Sequence, residues 1–151
     1  MLRALELKVP PLLLVALCAV AIYGASDQAL PQYLWQWMGL CTGIGLAMAI
    51  VLNAFYCFYQ QKTTVHPYQF EQVNALVQSG IYRFSRNPMY LAMAISLLAM
   101  TLGWPSVWAA LVVVFFVVYL TYFQIKPEER LLASRFQQPY LDYCQRVRRW
   151  I

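Results

Sequence analysis

Charged residues are scarce in this chain. Only 11% of its 151 residues are Asp, Glu, Lys or Arg, whereas soluble domains carry about a quarter. Hydrophobic residues make up 62%, which is more than a water-soluble domain of this length can bury. The composition therefore excludes an ordinary soluble domain. It predicts a single integral membrane domain over residues 1–151.

Histidine and closely spaced cysteines are also nearly absent. His66 is the only histidine, and the four cysteines, Cys18, Cys41, Cys57 and Cys144, lie far apart with no CxxC pair. Zinc and iron–sulfur sites need several such ligands at close spacing. We therefore expect no metal site and no disulfide framework.

Basic residues outnumber acidic ones, but they occur in separate connections. The net charge is +5, and the basic groups gather near the N-terminus, in 60–88 and in 126–151. The 26–33 connection holds only an aspartate. This alternation follows the positive-inside rule and predicts that both termini lie in the cytoplasm. Because no continuous basic face is available, a nucleic-acid partner is not expected.

Four apolar segments predict an all-α integral membrane fold. A spanning helix needs about 20 mainly apolar residues. We expect transmembrane helices at about 9–25, 34–59, 88–103 and 106–124, a cytoplasmic loop at 60–87 and an interfacial amphipathic helix at 127–150. Pro139 should kink that last helix. The arginines at its end, Arg146, Arg148 and Arg149, suit anionic lipid headgroups.

Small residues recur every four positions in the second predicted helix, at Gly39, Gly43 and Ala47. Small residues at this spacing let two helices approach closely. We expect them to serve packing within the chain rather than a dimer interface. The sequence therefore predicts a monomer or a weak homodimer.

The last two predicted membrane helices form a hairpin, because only GWPS (residues 103–106) separates them. Residues 86–90 enter this hairpin and residues 126–129 leave it on the same side. Arg86 is therefore expected beside Glu128 and Glu129. Arg86 alone is explained equally well as a positive-inside anchor, and the glutamates as helix-start carboxylates. Two carboxylates at a membrane exit, however, are costly without cationic partners.

Two motifs on this side of the hairpin resemble a known family. The first reads G-x-Y-x-x-x-R-N-P-x-Y over 80–90. The second reads E-E-x-x-L, then a phenylalanine and Y-x-x-Y-x-x-R-V, over 128–147. In this order across a hydrophobic hairpin, they are similar to the isoprenylcysteine carboxyl methyltransferase family, integral membrane enzymes related to phospholipid methyltransferases. The likeness covers about 60–150, and the first two helices match only in being apolar.

The resemblance implies a cytoplasmic site for S-adenosylmethionine, with S-adenosylhomocysteine as the product. It implies that the cofactor is enclosed by Gly80, Tyr82, Asn87, Tyr90, Glu128 and Glu129. It also implies catalytic roles for Arg86, Glu129 and Arg146. Arg86 would bind the cofactor carboxylate or hold Glu129, and Arg146 would face an anionic acceptor. The expected partners are membrane lipids and a lipophilic small-molecule or lipid acceptor that arrives laterally.

Two positions depart from the family pattern. Asn87 stands where many members have histidine, and an amide cannot carry a proton. A carboxylate acceptor is already nucleophilic and needs no base, so Asn87 favours O-methylation. Gln137 stands where the family usually has glycine, which puts the backbone of the C-terminal helix in question.

Other functions remain open from the sequence. A phospholipid amine or a small thiol is an alternative acceptor, and His66 is then a candidate base. A non-catalytic membrane scaffold of the same fold is a second alternative. A reductase is a third, although nothing in the sequence supports a nicotinamide site. Short loops and the motif variants favour a bacterial inner membrane.

Overall fold

All regular secondary structure in the described part of the chain is helical. The structure is a computed structural model, and it describes residues 6–27, 30–60 and 76–151. The helices are α1 (Pro11–Gly24), α2 (Leu34–Gln60), α3 (Pro88–Gly103), α4 (Val107–Leu120) and α5 (Lys126–Arg146), with a 3₁₀ turn at Gly80–Arg83 and a π-helical turn at Thr121–Ile125. The candidate base His66 and most of the 60–87 connection lie outside the described residues.

Local sequence signals explain where the hairpin helices begin. Pro88 occupies the first turn of α3, where its missing N–H leaves no hydrogen bond unmade. Ser106 caps α4, and its hydroxyl accepts a hydrogen bond from the Ala109 N–H at 3.0 Å. Pro127 occupies the first turn of α5 in the same way. The starts of α3 and α5 lie at the charged end of the hairpin, and the start of α4 lies at its turn.

Two helical runs are long and apolar enough to cross a membrane. One is α2, with 27 residues, and the other is the continuous run Val107–Arg146, with 40 residues. In the second run the charge-free part ends before Lys126. The apolar helices α1 and α3 are shorter, at 14 and 16 residues. The all-helical expectation is therefore confirmed for the described residues, whereas four membrane crossings and an interfacial α5 remain predictions.

The small residues of α2 pack against α3. A Cβ added at Gly43 would overlap Ala99 Cβ, and one added at Gly39 would lie 2.9 Å from Leu102 Cδ1. Ala47, one turn further along, is also buried. Packing within the chain is therefore confirmed as the use of this stripe. The predicted monomer or weak homodimer is a separate matter and remains a prediction.

The helices α1, α3 and α4 enclose the main apolar core. Its fully or nearly buried members include Ile22, Leu97, Ala109, Phe116, Leu120 and Ile125. This core supports the C-terminal end of α4, where the π-helical turn leads into α5. The carboxylates of α5 therefore begin directly beyond a packed apolar segment.

The helix α5 is kinked, as its proline predicts. The break lies at Gln137, whose φ is 47° and ψ −125°, two residues before Pro139. Proline disrupts the turn that precedes it, because it lacks an N–H and its ring crowds an earlier carbonyl. Gln137 thus adopts a conformation that favours glycine. The kink turns residues 138–146 back toward the start of α3.

Candidate active site at the charged end of the hairpin

Arg86 and Glu129 form the centre of the site. Arg86 Nη1 lies 3.2 Å from Glu129 Oε1, and the two side chains are only 13% and 16% exposed. Arg86 precedes α3 and Glu129 lies in the first turn of α5, so the hairpin brings them together. Their predicted proximity is confirmed. A buried pair of this kind is costly to break, because either partner alone would be an uncompensated charge.

Arg149 provides a second cation for the same carboxylate. Its Nε donates to Glu129 Oε1 at 3.0 Å and its Nη2 donates to Glu129 Oε2 at 2.7 Å. This is the two-pronged geometry in which a planar guanidinium binds a carboxylate most strongly. The sequence assigned Arg149 to lipid headgroups, and the structure places its guanidinium on Glu129 instead. No sequence signal singles out this pairing, because charge balance would assign a second cation to Glu128 rather than to Glu129.

Glu128 is held by a separate set of partners. The Tyr90 hydroxyl and the Gln124 side-chain amide both donate to Glu128 Oε1 at 2.6 Å. Burial raises the pKa of Glu128 to about 7, the two hydrogen bonds lower it, and the neighbouring Glu129 raises it further. This carboxyl lies beyond the apolar part of the α4–α5 run. It can therefore change protonation near neutral pH.

The segment before α3 is held by the end of the chain. The Arg86 N–H donates to the Arg148 carbonyl at 3.1 Å, and Asn87 Nδ2 donates to the Arg149 carbonyl at 3.0 Å. The Asn87 N–H also donates to Ser85 Oγ at 3.1 Å. The side chain of Asn87 therefore holds the backbone of residue 149 in place.

Tyr82 lies behind the charged centre. Its side chain is buried against Phe58, and its carbonyl accepts a hydrogen bond from the Tyr143 hydroxyl at 2.7 Å. Gly80 has a φ of 57°, and a Cβ there would overlap Cys57 Sγ. These two predicted site residues thus tie α2, the 3₁₀ turn and α5 together. The structure does not bring them to Glu129.

Arg146 lies apart from the centre as well. Its Nη2 donates to Gln78 Oε1 at 3.1 Å, and its Nε donates to the Asp142 carbonyl at 3.3 Å. The side chain is exposed at the end of α5. Of the predicted site residues, the structure therefore brings together Arg86, Glu128, Glu129, Tyr90 and Asn87, and leaves Gly80, Tyr82 and Arg146 outside.

A charged cavity of about 350 Å³ opens beside Glu129. It is lined by Arg86, Lys126, Glu129, Arg130, Ala133, Tyr140, Cys144 and Arg149. Its size is in the range of pockets that hold small ligands. A larger cavity, of about 440 Å³, lies beside α2 and is lined by Gly80 and Arg83 among others. We place the candidate site in the smaller one, because it contains the ion-paired groups.

The cavity presents both signs of charge to a ligand. Glu129 offers carboxylate oxygens, and the buried Arg86 Nε–H has no hydrogen-bond partner among the described residues. A buried donor of this kind is costly unless an acceptor reaches it. The donor set therefore fits a ligand that carries an ammonium group and a carboxylate together. Within the described residues, no group of three or more His, Cys, Asp or Glu is placed to hold a metal ion.

Comparison with known proteins places the chain in a family. A family model described as phospholipid methyltransferase matches residues 35–139, more than half of the chain. The match includes α2, which the motif resemblance left out, and it ends at Pro139. A protein of Haemophilus influenzae described as uncharacterized is 43% identical over 63 residues, which are 42% of this chain and 100% of the relative. No solved structure matches. The chain belongs to the phospholipid methyltransferase family.

Proposed function

We propose that this protein transfers a methyl group from S-adenosylmethionine to a lipophilic acceptor at a membrane. The observation that carries the proposal is the Arg86–Glu129–Arg149 group, which lines a cavity just beyond an apolar helix. Family membership supports methyl transfer, and the two long apolar helices support a membrane location. We further propose that the site faces the cytoplasm of a bacterial cell.

The residues of the cavity suit the polar ends of this cofactor. When bound, S-adenosylmethionine supplies an electrophilic methyl group on a positively charged sulfur. Glu129 would attract its ammonium group, and the Arg86 guanidinium, which lines the cavity, would donate to its carboxylate. Tyr90 and Glu128 do not line this cavity. Their hydrogen bond would position the start of α5, which carries Glu129. Asn87, Tyr82 and Gly80 would act by holding the backbone that carries Arg86.

The acceptor that we favour is a carboxylate, as in the isoprenylcysteine carboxyl methyltransferase family. A carboxylate is ionised at neutral pH and needs no base, which agrees with an amide at Asn87 that holds backbone. A carboxylate in this cavity would face Lys126 and Arg130, which line it. These two cations are better placed than Arg146 for recognising such an acceptor. The apolar part of the acceptor would remain in the membrane.

A phospholipid amine is the second candidate acceptor, and Glu128 is the observation that favours it. An ammonium group must lose a proton before its nitrogen can attack a methyl group. Burial raises the pKa of Glu128 to about 7, so its ionised form can accept that proton near neutral pH. The family's description as phospholipid methyltransferase agrees with this alternative.

Calorimetric titration with S-adenosylhomocysteine tests the cofactor site. Detergent-solubilised protein should bind it saturably, and Glu129→Gln and Arg86→Gln should each weaken binding at least about tenfold, the value of one charge-assisted hydrogen bond. Arg83→Gln is the matched control, because Arg83 is exposed and lines the other cavity. If folded wild-type protein binds no S-adenosylhomocysteine, the methyltransferase proposal fails and a scaffold role is favoured.

A labelling experiment separates the two acceptors. Membrane extracts are incubated with the protein and with S-adenosylmethionine that carries a labelled methyl group. Label that is released as methanol by mild base identifies an ester and therefore a carboxylate acceptor. Label that survives base in a phospholipid headgroup identifies an amine and overturns our preference.

A further inference from the structure

The C-terminal tail (residues 147–151) lies across the candidate site. Its backbone accepts hydrogen bonds from Arg86 and Asn87, and Trp150 Nε1 donates to Thr121 Oγ1 at 3.2 Å. Val147 is buried against α5, and Trp150 packs against the main apolar core. The tail is therefore attached on both sides of Arg149.

The Arg149 side chain uses both oxygens of Glu129. Its two donor distances are 3.0 and 2.7 Å, and Arg86 Nη1 approaches Oε1 as well. The carboxylate thus has two cationic partners, although one would balance its charge. A ligand ammonium group that approaches Glu129 must compete with one of them.

Arg149 is the partner that can leave more easily. Its side chain is 33% exposed, whereas that of Arg86 is 13% exposed. Returning a guanidinium to water regains hydration, and little movement is needed for a group that is already partly hydrated. Arg86, in contrast, is buried at the start of α3 and would remain uncompensated.

We propose that Arg149 is a built-in occupant of the cofactor site, and that a ligand ammonium group must displace its guanidinium from Glu129 in order to bind. This inference rests on the proposed function, because it takes the ligand to be S-adenosylmethionine or its product. Because Arg149 belongs to the same chain as Glu129, its guanidinium stays nearby after displacement, so the competition is intramolecular and does not depend on protein concentration. The tail thereby sets the cofactor affinity from within the chain.

The first test measures S-adenosylhomocysteine affinity by calorimetry in Arg149→Gln. Freed from competition, Glu129 should bind the amino group of the ligand about tenfold more tightly than in the wild type. Arg148→Gln is the matched control, since Arg148 is the exposed neighbour and contributes only its carbonyl to the site. Its affinity should equal that of the wild type. Equal or weaker binding by Arg149→Gln overturns the proposal, because Arg149 would then be neutral or a ligand contact.

The second test needs no ligand. Carboxypeptidase trimming of the chain of residues 1–151, followed by intact-mass measurement, reports how firmly the tail is attached. Arg149→Gln, which removes the contact with Glu129, should accelerate the loss of Trp150. The control Arg148→Gln should leave the trimming rate unchanged. An unchanged trimming rate in Arg149→Gln overturns the proposal. If no variant binds S-adenosylhomocysteine yet trimming accelerates, the tail attachment stands and the proposed cofactor is the part that fails.

Discussion

Glu128 should make the protein less stable as the pH rises through neutrality. In the folded protein this carboxyl is buried, and its pKa is raised from about 4.5 to about 7. In the unfolded chain the carboxyl is hydrated and ionises at its ordinary pKa. Between these two values the folded state binds the extra proton, so stability decreases with increasing pH. Replacing Glu128 with glutamine removes the titrating group while preserving an oxygen for Tyr90 and Gln124.

The expected change in unfolding free energy follows from the folded and unfolded pKa values of Glu128. At about 1.4 kcal/mol for each pH unit, this difference corresponds to about 3 kcal/mol between pH 4.5 and pH 8.5. The contribution of protonated Glu128 to folding stability is fully present below its pKa in the unfolded chain. It is lost above its pKa in the folded protein. Between pH 4.5 and pH 8.5 the wild type should therefore lose about 3 kcal/mol of unfolding free energy that Glu128→Gln retains.

Denaturant unfolding in a fixed detergent, followed by circular dichroism from pH 4.5 to pH 8.5, measures the difference. The control is Asp142→Asn, an exposed carboxylate on the same helix that accepts a hydrogen bond from Gln138. It should retain the wild-type dependence on pH. Parallel pH profiles for wild type and Glu128→Gln would refute the reasoning, because the carboxyl would then be hydrated in the folded protein.

Two further predictions concern the backbone. Gly43→Ala should cost about 1–3 kcal/mol of unfolding free energy, because its Cβ would overlap Ala99. Gly45→Ala has open space and should be neutral or slightly stabilising. Equal effects of the two substitutions in thermal unfolding would contradict the close packing of α2 on α3. Gln137→Gly should stabilise by about 1 kcal/mol by relieving the positive φ, whereas Gln138→Gly, in a helical position, should destabilise by about the same amount. A loss of stability in Gln137→Gly would show that the kink is not strained.

The positions of the helices could be predicted from the sequence because their signals are local. Apolar runs are interrupted by prolines and by a serine that suit helix starts, and the observed helices begin at Leu34, Pro88 and Val107. These are the expected starts to within one residue. The small-residue stripe likewise identified how α2 packs, because close approach requires small side chains and little else.

The course of the chain from α4 into α5 was harder to predict. Pro139 indicated a kink, but the break lies at Gln137, and the π-helical turn at Thr121–Ile125 has no sequence signal. Both features depend on how α5 packs back over the start of α3. Their consequence is functional, since the turn contains Gln124, which donates to Glu128.

Part of the site could be predicted from topology alone. The hairpin fixes which ends are neighbours, so Arg86 and Glu129 follow from helix lengths without any knowledge of side-chain packing. Arg146 and Arg149 could not be distinguished in this way. Both lie near the end of an amphipathic helix. The helix ends at Arg146, and the backbone of the next residue, Val147, is extended. This change of direction places Arg149 rather than Arg146 beside Glu129.

That backbone is fixed by residues distant in the sequence. The N–H of Arg86 and the amide of Asn87 bind the carbonyls of Arg148 and Arg149, about sixty positions away. Arg86–Asn87 and Arg148–Arg149 belong to separate sequence motifs, although each pair determines the position of the other in the structure. Charge balance does not predict the second arginine, because Glu128 is held by the neutral donors Tyr90 and Gln124 and both cations bind Glu129. The Arg149–Glu129 pair therefore follows from the backbone attachments of residues 148 and 149, which place this guanidinium beside the start of α5.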